Sequence, residues 1–519
     1  MIEKYLNNRF LILYISPFII GSLTTLSFQP FNLTIVNFFL LPIFFYLTVH
    51  ITKKSKSIYR KKPYKKNLFI FGLLFGFGFY LTGTSWITNS LTFDESFKFL
   101  IPITLILLPL FLSLFVAVTI LFIGPHLKLD FNSVIFFSVG LATSDFLRAK
   151  ILTGFPWNLW AYSASWATEN LQILNSMGLY SFNLIIIVLF TLPVIFFFKI
   201  DIIKKIFCLF FILGIILSSY IYGNYKINKN KIQINSYNKA FVKIVSPNFD
   251  LKYGLNNNEI EERFKKIIRY SAPDKDKKTL FVWPEGVFSG YSYNEILIFR
   301  DLISKNFSKN HLIVFGVNKL DPKSGQYFNS MIAANNNLEI IKIYNKRKLV
   351  PFGEFLPFES LLNYFGLKKI TEGHGSFIRG NRDSNILIDQ LNILPLICYE
   401  VIFTDLVQKS DINSNLIINI SEDGWFGDTI GPDQHFAKSI FRAIENNTFF
   451  LRSANKGLSA IIDNKGNIIK QLNRNEAGNI EFEVPLIKSN KIKNDLIFYI
   501  VLITYLLFFL IYRNKNAKK

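Results

Sequence analysis

The chain has 519 residues, of which 50% are hydrophobic and 56 are Phe, and its mean hydropathy is +0.29. The length suits two or three domains, and the hydropathy is too high for a wholly soluble protein of this size. A formal net charge of +22 could point to nucleic acid, but the basic clusters lie between long apolar runs, as membrane loops do. Two cysteines exclude a disulfide framework.

Taken in chain order, the first 222 residues contain repeated apolar runs near the length of about 20 helical residues that crosses a bilayer. The runs fall at 9–27, 31–50, 68–90, 98–123, 132–149, 176–198 and 205–223, and a last one at 495–512 closes the chain. The first run is long and no A-x-A site follows it, so it is expected to act as an uncleaved anchor. The expected architecture is therefore a multi-pass helical membrane domain of about eight spans, seven of them within 1–223 and one within 493–519.

Loop charges orient these spans. "ITKKSKSIYRKKPYKK" (51–66), "KIDIIKK" (199–205) and the tail "RNKNAKK" (513–519) are basic, whereas "TFDESF" (92–97) is acidic. Basic loops stay in the cytoplasm. Eight spans put all three basic segments on one side, so residues 224–492 are expected outside the cytoplasm. Cys208 lies within an apolar run and reads as a packing or lipid-facing residue. Asp145 and Arg148, near the end of the fifth run, are the obvious intramembrane charge pair and are expected at the membrane interface. The tryptophans of "GFPWNLW" (154–160) also suit an interface.

Residues 224–492 change character. Strand-like runs such as "AFVKIVSPN", "TLFVWPEG", "HLIVFGVNKL" and "NILPLICYE" alternate with helix-like runs such as "NEIEERFKKIIRYSA". This is an α/β pattern, with sheets covered by helices.

Three polar residues end or follow such runs: Glu285, Lys346 and Cys398. A thiol beside a carboxylate and an ammonium is an activated nucleophile, because the carboxylate takes its proton and the ammonium stabilises the developing oxyanion. Singly, each has a plain reading. Glu285 could cap a turn after Pro284, Lys346 could be one of four cations in "KIYNKRK", and Cys398 could be a small core residue. Spacing alone does not bring them together. His435 is one of five scattered histidines and reads as structural. No H-E-x-x-H, CxxC or P-loop pattern is present, so no metal or cofactor is expected.

The segments "FVWPEGVFSG", "YNKRKLVPFGEFLPF" and "LICYE" resemble the nitrilase (carbon–nitrogen hydrolase) superfamily, in both order and local context. With the membrane flanks and the motifs "TGFPWNLWAYS", "NISEDGWFGDTIGPDQHF" and "RSANKG", the chain is similar over nearly its whole length to the apolipoprotein N-acyltransferase family. That resemblance implies an αββα sandwich over 224–492 with a Glu-Lys-Cys triad: Cys398 as nucleophile, Glu285 as general base and then acid, and Lys346 at the oxyanion. Glu354 would orient Lys346, and Tyr399 and Glu400 would support the nucleophile. It implies ping-pong transfer of a phospholipid acyl chain, through a cysteine thioester, to the α-amino group of a diacylglyceryl-cysteine apolipoprotein. The setting would be a bacterial inner membrane with the catalytic domain on the periplasmic side, without nucleic acid. Trp425 and Phe426 would line a lipid entrance, and "FGEFLPFESLLNYFGL" (352–367) would either dip into the bilayer or pack on the core. The sequence departs from the family pattern at Glu422 and Gly424, where "NISNDAWFG" would be expected. A membrane-tethered amidase using water as acceptor is the alternative reading, and a ligand-binding transporter or receptor is a third.

Overall fold

The computed structural model describes residues 6–58, 64–233, 237–252, 254–358, 364, 376–381, 385–409, 413–489 and 495–517. Half of the 352–367 loop and parts of the basic segments at 51–66 and 513–519 therefore lie outside the described residues. The chain divides into two compact units: Met1–Thr88 with Phe99–Lys226 and Ile492–Lys519, and Asn89–Lys98 with Ile227–Lys491.

The first unit is helical. Its main helices are α1 (Ser16–Thr24), α2 (Asn37–Ile58), α3 (Tyr64–Thr84), α4 (Ile101–Ile123), α5 (Phe131–Lys150), α6 (Leu174–Thr191), α7 (Ile202–Gln233, which runs on into the second unit) and α10 (Asp495–Ala517). Among the described residues, five helical stretches are long and apolar enough to cross a membrane: Thr34–Lys53, Tyr64–Thr92, Glu95–His126, Asn170–Phe197 and Ile202–Asn230. The apolar helices Leu11–Ser27 and Leu496–Leu507 are shorter. The fifth expected span coincides with α5, which carries Asp145, Arg148 and Lys150.

Asp145 and Arg148 prove to be interior residues, 5% and 2% exposed. Arg148 Nη2 donates to Asp145 Oδ1 at 2.9 Å, and Asn183 Nδ2 donates to Asp145 Oδ2 at 2.9 Å. Arg148 Nη1 donates to the Phe155 carbonyl, and Asn183 Oδ1 accepts from the Ala161 N–H at 2.9 Å. The pair thus satisfies the polar backbone of the 154–161 loop, which an apolar surrounding leaves few other partners. Trp157 and Trp160 are likewise buried within the helical unit. Trp157 packs on Trp86 at 4.4 Å and Trp160 on Phe79 at 5.6 Å.

The second unit contains two six-stranded sheets. The first runs β12 (Gly478–Pro485), β1 (Lys239–Ser246), β2 (Thr279–Val282), β3 (His311–Leu320), β4 (Tyr327–Ala334), β5 (Ile340–Asn345). The second runs β11 (Ile468–Leu472), β10 (Ser459–Ile462), β9 (Phe450–Asn455), β8 (Leu416–Glu422), β7 (Leu391–Ile397), β6 (Ile386–Ile388). Each has a parallel centre, β1–β2–β3 or β7–β8–β9, flanked by antiparallel strands.

Strand alternation builds the layers. Val242, Ile244, Leu280, Val282 and Val314 from the first sheet meet Ile393, Leu416, Ile418, Ile420 and Leu451 from the second in one core between the sheets. The opposite face of the first sheet, with Phe281, Trp283, Ile313 and Phe315, is covered by Ile260, Phe264 and Ile267 of helix α8 (Asn257–Ser271). Helix α8 begins at a capping box between Asn256 and Glu259, which stops the chain where the apolar stripe starts. Helix α9 (Gly431–Asn446) packs against β9 and β10 of the second sheet. The central strands are apolar on both faces because they are buried on both sides, whereas β11 at the edge of the second sheet is largely exposed.

Candidate active site

Glu285, Lys346 and Cys398 each sit where a strand stops. Glu285 follows β2 by three residues, after Pro284 has removed a ladder donor. Lys346 follows β5 and Cys398 follows β7 directly. Cys398 opens the short helix Cys398–Ile402 with φ +46°, a left-handed conformation that only surrounding structure can hold for a residue with a Cβ. A nucleophile on a tight strand-to-helix turn projects its side chain clear of the sheet.

Lys346 is buried, and its Nζ donates to Glu354 Oε1 at 2.8 Å and lies 3.6 Å from Glu285 Oε1. Asn329 Nδ2, from β4, donates to Glu285 Oε1 and to Glu354 Oε1, both at 2.7 Å. Glu354 Oε2 accepts from the Val350 N–H at 2.8 Å, and Glu285 Oε2 accepts from the Glu422 N–H at 3.2 Å. One amide therefore spaces the two carboxylates and the ammonium neutralises them. Burial works against the Lys346 charge, but the charges of Glu285, Glu354 and Cys398 outweigh it and hold its pKa above the ordinary lysine value.

Burial and then the Glu285 charge push the Cys398 thiol up, while Lys346 and a hydrogen bond with Ser421 pull it down. The sulfur at rest is a thiol within the field of both charges. A base must therefore take its proton as it attacks.

Glu400 fastens the two strand ends to each other. Its Oε1 accepts from the Arg347 N–H at 2.7 Å and the Lys348 N–H at 3.0 Å, and its Oε2 from the Ile397 N–H at 2.9 Å. The Tyr344 hydroxyl donates to the same carboxylate at 2.9 Å. Tyr399 packs edge-on to Phe403 at 5.0 Å, and burial raises its phenol.

Glu422 is fully enclosed. Its Oε1 accepts from the Gly424 N–H at 2.9 Å and its Oε2 from Asn455 Nδ2 at 2.8 Å. Burial carries its pKa up to about 8, with Asn455 and Gly424 opposing and the charges of Glu285 and Asp423 adding to the rise. Two glycines make room for this carboxyl. A Cβ on Gly286 (φ +78°) would lie 2.3 Å from Glu422 Oε2, and one on Gly424 would lie 2.7 Å from Oε1. The departures at 422 and 424 are thus one spatial unit.

Trp425 and Phe426 differ in surroundings. Trp425 is half-buried; its carbonyl accepts from Asn89 Nδ2 at 3.1 Å and its ring meets Phe93 at 5.2 Å. Phe426 is buried and packs on the His435 imidazole at 5.2 Å. His435 turns its Nε2 to the Cys398 carbonyl, not to the thiol. Among the described residues no group of three or more His, Cys, Asp or Glu could hold a metal ion.

Sequence reading missed Asn329 and Tyr344, and it quoted "RSANKG" without giving Arg452 or Asn455 a role. Each lies in a strand-like run whose polar member carries no local signal of its distant partner.

The carbon–nitrogen hydrolase family model matches residues 249–493, so the second unit is a domain of that class. The apolipoprotein N-acyltransferase N-terminal domain model matches residues 20–192. An apolipoprotein N-acyltransferase of Rickettsia typhi is 31% identical over 479 residues, covering 90% of this chain and 91% of that one. One of Brucella melitensis is 28% identical over 487 residues, covering 91% and 89%. A carbon–nitrogen hydrolase from Helicobacter pylori superposes on 48% of this chain and 90% of its own, with a TM-score of 0.37 and 13% identity. The chain belongs to the apolipoprotein N-acyltransferase family and is an acyltransferase.

Proposed function

We propose that this enzyme moves an acyl chain from a phospholipid to the N-terminal α-amino group of a diacylglyceryl-cysteine apolipoprotein, through a thioester on Cys398. The observation that carries this reading is a buried thiol in the field of Glu285 and Lys346, each at the end of its own strand. Family membership supports the acceptor, and the apolar helices support lipid substrates.

In the first half-reaction Glu285 takes the Cys398 proton and the sulfur adds to the ester carbonyl. The oxyanion forms beside the Lys346 ammonium, held by Glu354. Collapse breaks the ester C–O bond, and Glu285 returns the proton to the departing lysophospholipid oxygen. In the second, the neutral α-amine adds to the thioester and gives a proton to Glu285. The C–S bond breaks, the amide forms and the thiolate is reprotonated. Amide formation from a thioester is downhill, which drives the sequence forward.

The proposed setting is a bacterial inner membrane crossed eight times, with residues 224–492 as the catalytic domain on the periplasmic side. Parity supports it, because eight crossings put the three basic segments on one face. Trp425 and Phe426 are proposed to line the lipid entrance.

Mass spectrometry after incubation with phospholipid tests the reading. We expect a gain of one acyl chain, removed by hydroxylamine and absent in Cys398→Ala. No gain with any phospholipid would favour water as the acceptor and an amidase.

A further inference from the structure

The peptide after Cys398 has to be held, because its φ of +46° is not one a cysteine adopts unaided. His435 Nε2 lies 3.2 Å from the Cys398 carbonyl oxygen, and His435 is fully buried. That carbonyl and the Tyr399 N–H are the two ends of one planar peptide, so fixing the first fixes the direction of the second. When an acyl carbonyl adds to a nucleophile on such a turn, the N–H of the following residue is a natural donor to the oxyanion.

His435 is itself locked from behind. A carbonyl oxygen has no proton to give, so Nε2 carries the imidazole hydrogen. At Nδ1 the ring meets Arg452 Nη2, which can only donate, and Asp423 Oδ1, which can only accept, each at 3.1 Å. Burial and then the Arg452 charge lower the imidazole pKa to about 4 against the opposing pull of Asp423, which keeps this neutral tautomer at working pH. Arg452 is fixed by Asp423 Oδ2 at 2.7 Å, by the Leu458 carbonyl at 3.1 Å and by Asn419 Oδ1. Asn419 Nδ2 donates to the Leu396 carbonyl at 3.0 Å, returning the network to β7 just before the nucleophile. Asp423 Oδ1 accepts from Ser421 Oγ at 2.6 Å and lies 3.1 Å from His435 Nδ1.

We propose that His435 is a positioning residue for acyl transfer: its Nε2–H, seated by Arg452, holds the Cys398 carbonyl and so aims the Tyr399 N–H at the oxyanion of an acyl group adding to Cys398. The inference rests on Cys398 being the nucleophile. His435 takes no proton from the thiol and touches no substrate; it acts through one peptide plane.

Two reactions at the same sulfur separate this role from a purely structural one. Thioester formation passes through an oxyanion. Carboxamidomethylation by iodoacetamide displaces iodide at a saturated carbon and does not. In the full-length enzyme in detergent micelles, His435→Leu should slow thioester formation from phospholipid on the order of 100-fold, as small misplacements at a reacting centre do. Iodoacetamide labelling of Cys398 should stay near the native rate. His435→Gln, which keeps an N–H donor, should recover much of the loss. A native thioester rate in His435→Leu, or a parallel fall of both reactions, overturns the proposal. If His435→Leu does not fold, the ratio of the two rates in Arg452→Lys decides instead, and a ratio equal to the native one overturns it. Absence of a thioester in the native enzyme would count against the nucleophile reading, not against this inference.

Discussion

The Lys346 ammonium donates to Glu354 Oε1 at 2.8 Å from a site where its side chain is 1% exposed. A buried cation with one close carboxylate and a second at 3.6 Å is tied to both. Glu354→Gln keeps the shape but removes a charge. Transfer of acyl chains should fall on the order of 100-fold through misplacement of the ammonium. Asn329→Leu, which strips the shared donor from both carboxylates, should be at least as harmful. Turnover on a lipopeptide acceptor measures both, and a Glu354→Gln enzyme with native turnover would refute the assignment.

Glu422 makes stability depend on pH in an unusual direction. Its folded pKa is up to about 8, above the ordinary 4.5 of a free carboxyl. Between those values the folded state binds the extra proton, so stability falls as pH rises, and the fall is complete above about pH 8. Replacing Glu422 by Gln removes this contribution. From pH 6 to pH 9 the native thermal midpoint should drop more than that of Glu422→Gln, as read by tryptophan fluorescence. Parallel pH profiles would show that Glu422 is already ionised in the folded state.

Glu422 and Gly424 should be coupled. A methyl group on Gly424 would meet Glu422 Oε1 at 2.7 Å, and Asn455 pins the other oxygen. Gly424→Ala alone should cost about 1–3 kcal/mol by overpacking. In the Glu422→Asn background the shorter side chain leaves space, and the same change should cost little. A double-mutant cycle measures the coupling, with an expected interaction of roughly 0.5–3 kcal/mol. Strict additivity would contradict the packing.

The Asp145–Arg148 pair should matter for folding of the helical unit. Arg148→Met strands the Asp145 carboxylate and the Phe155 and Asn158 carbonyls, all of which the guanidinium now serves. Removing one partner of a buried pair costs about 3–5 kcal/mol. The double change Asp145→Leu with Arg148→Met removes the stranded charge and should be less harmful than Arg148→Met alone. The fraction eluting as monodisperse protein from detergent size-exclusion chromatography provides the comparison.

Much of the α/β unit was legible because its signals are local. "TLFVWPEG" and "NILPLICYE" show apolar strands stopped by a polar residue, and "NEIEERFKKIIRYSA" shows a helix-like run where α8 lies. The burial of Trp157 and Trp160 was not legible, because only packing against the sequence-distant Trp86 and Phe79 encloses them. The contact of Phe426 with His435 was not legible either, since nothing near "GWFGD" announces His435 nine residues on.

The sequence by itself determined the residue types that can do acyl chemistry, their strand-end contexts and the alternation of membrane-length apolar runs with a polar α/β segment. These follow from periodicity and neighbouring residues, which are properties of short windows of chain. The tertiary structure alone decided that Asn329 bridges Glu285 and Glu354, that Glu400 ties the end of β5 to that of β7, and that Arg452 seats His435 behind Cys398. Apart from the local Glu400–Ile397 bond, those relationships join residues 17 to 53 positions apart along the chain. Hydrogen bonds and charges act over a few ångströms of space, so such pairs exist only once two sheets have stacked and brought their strand ends together.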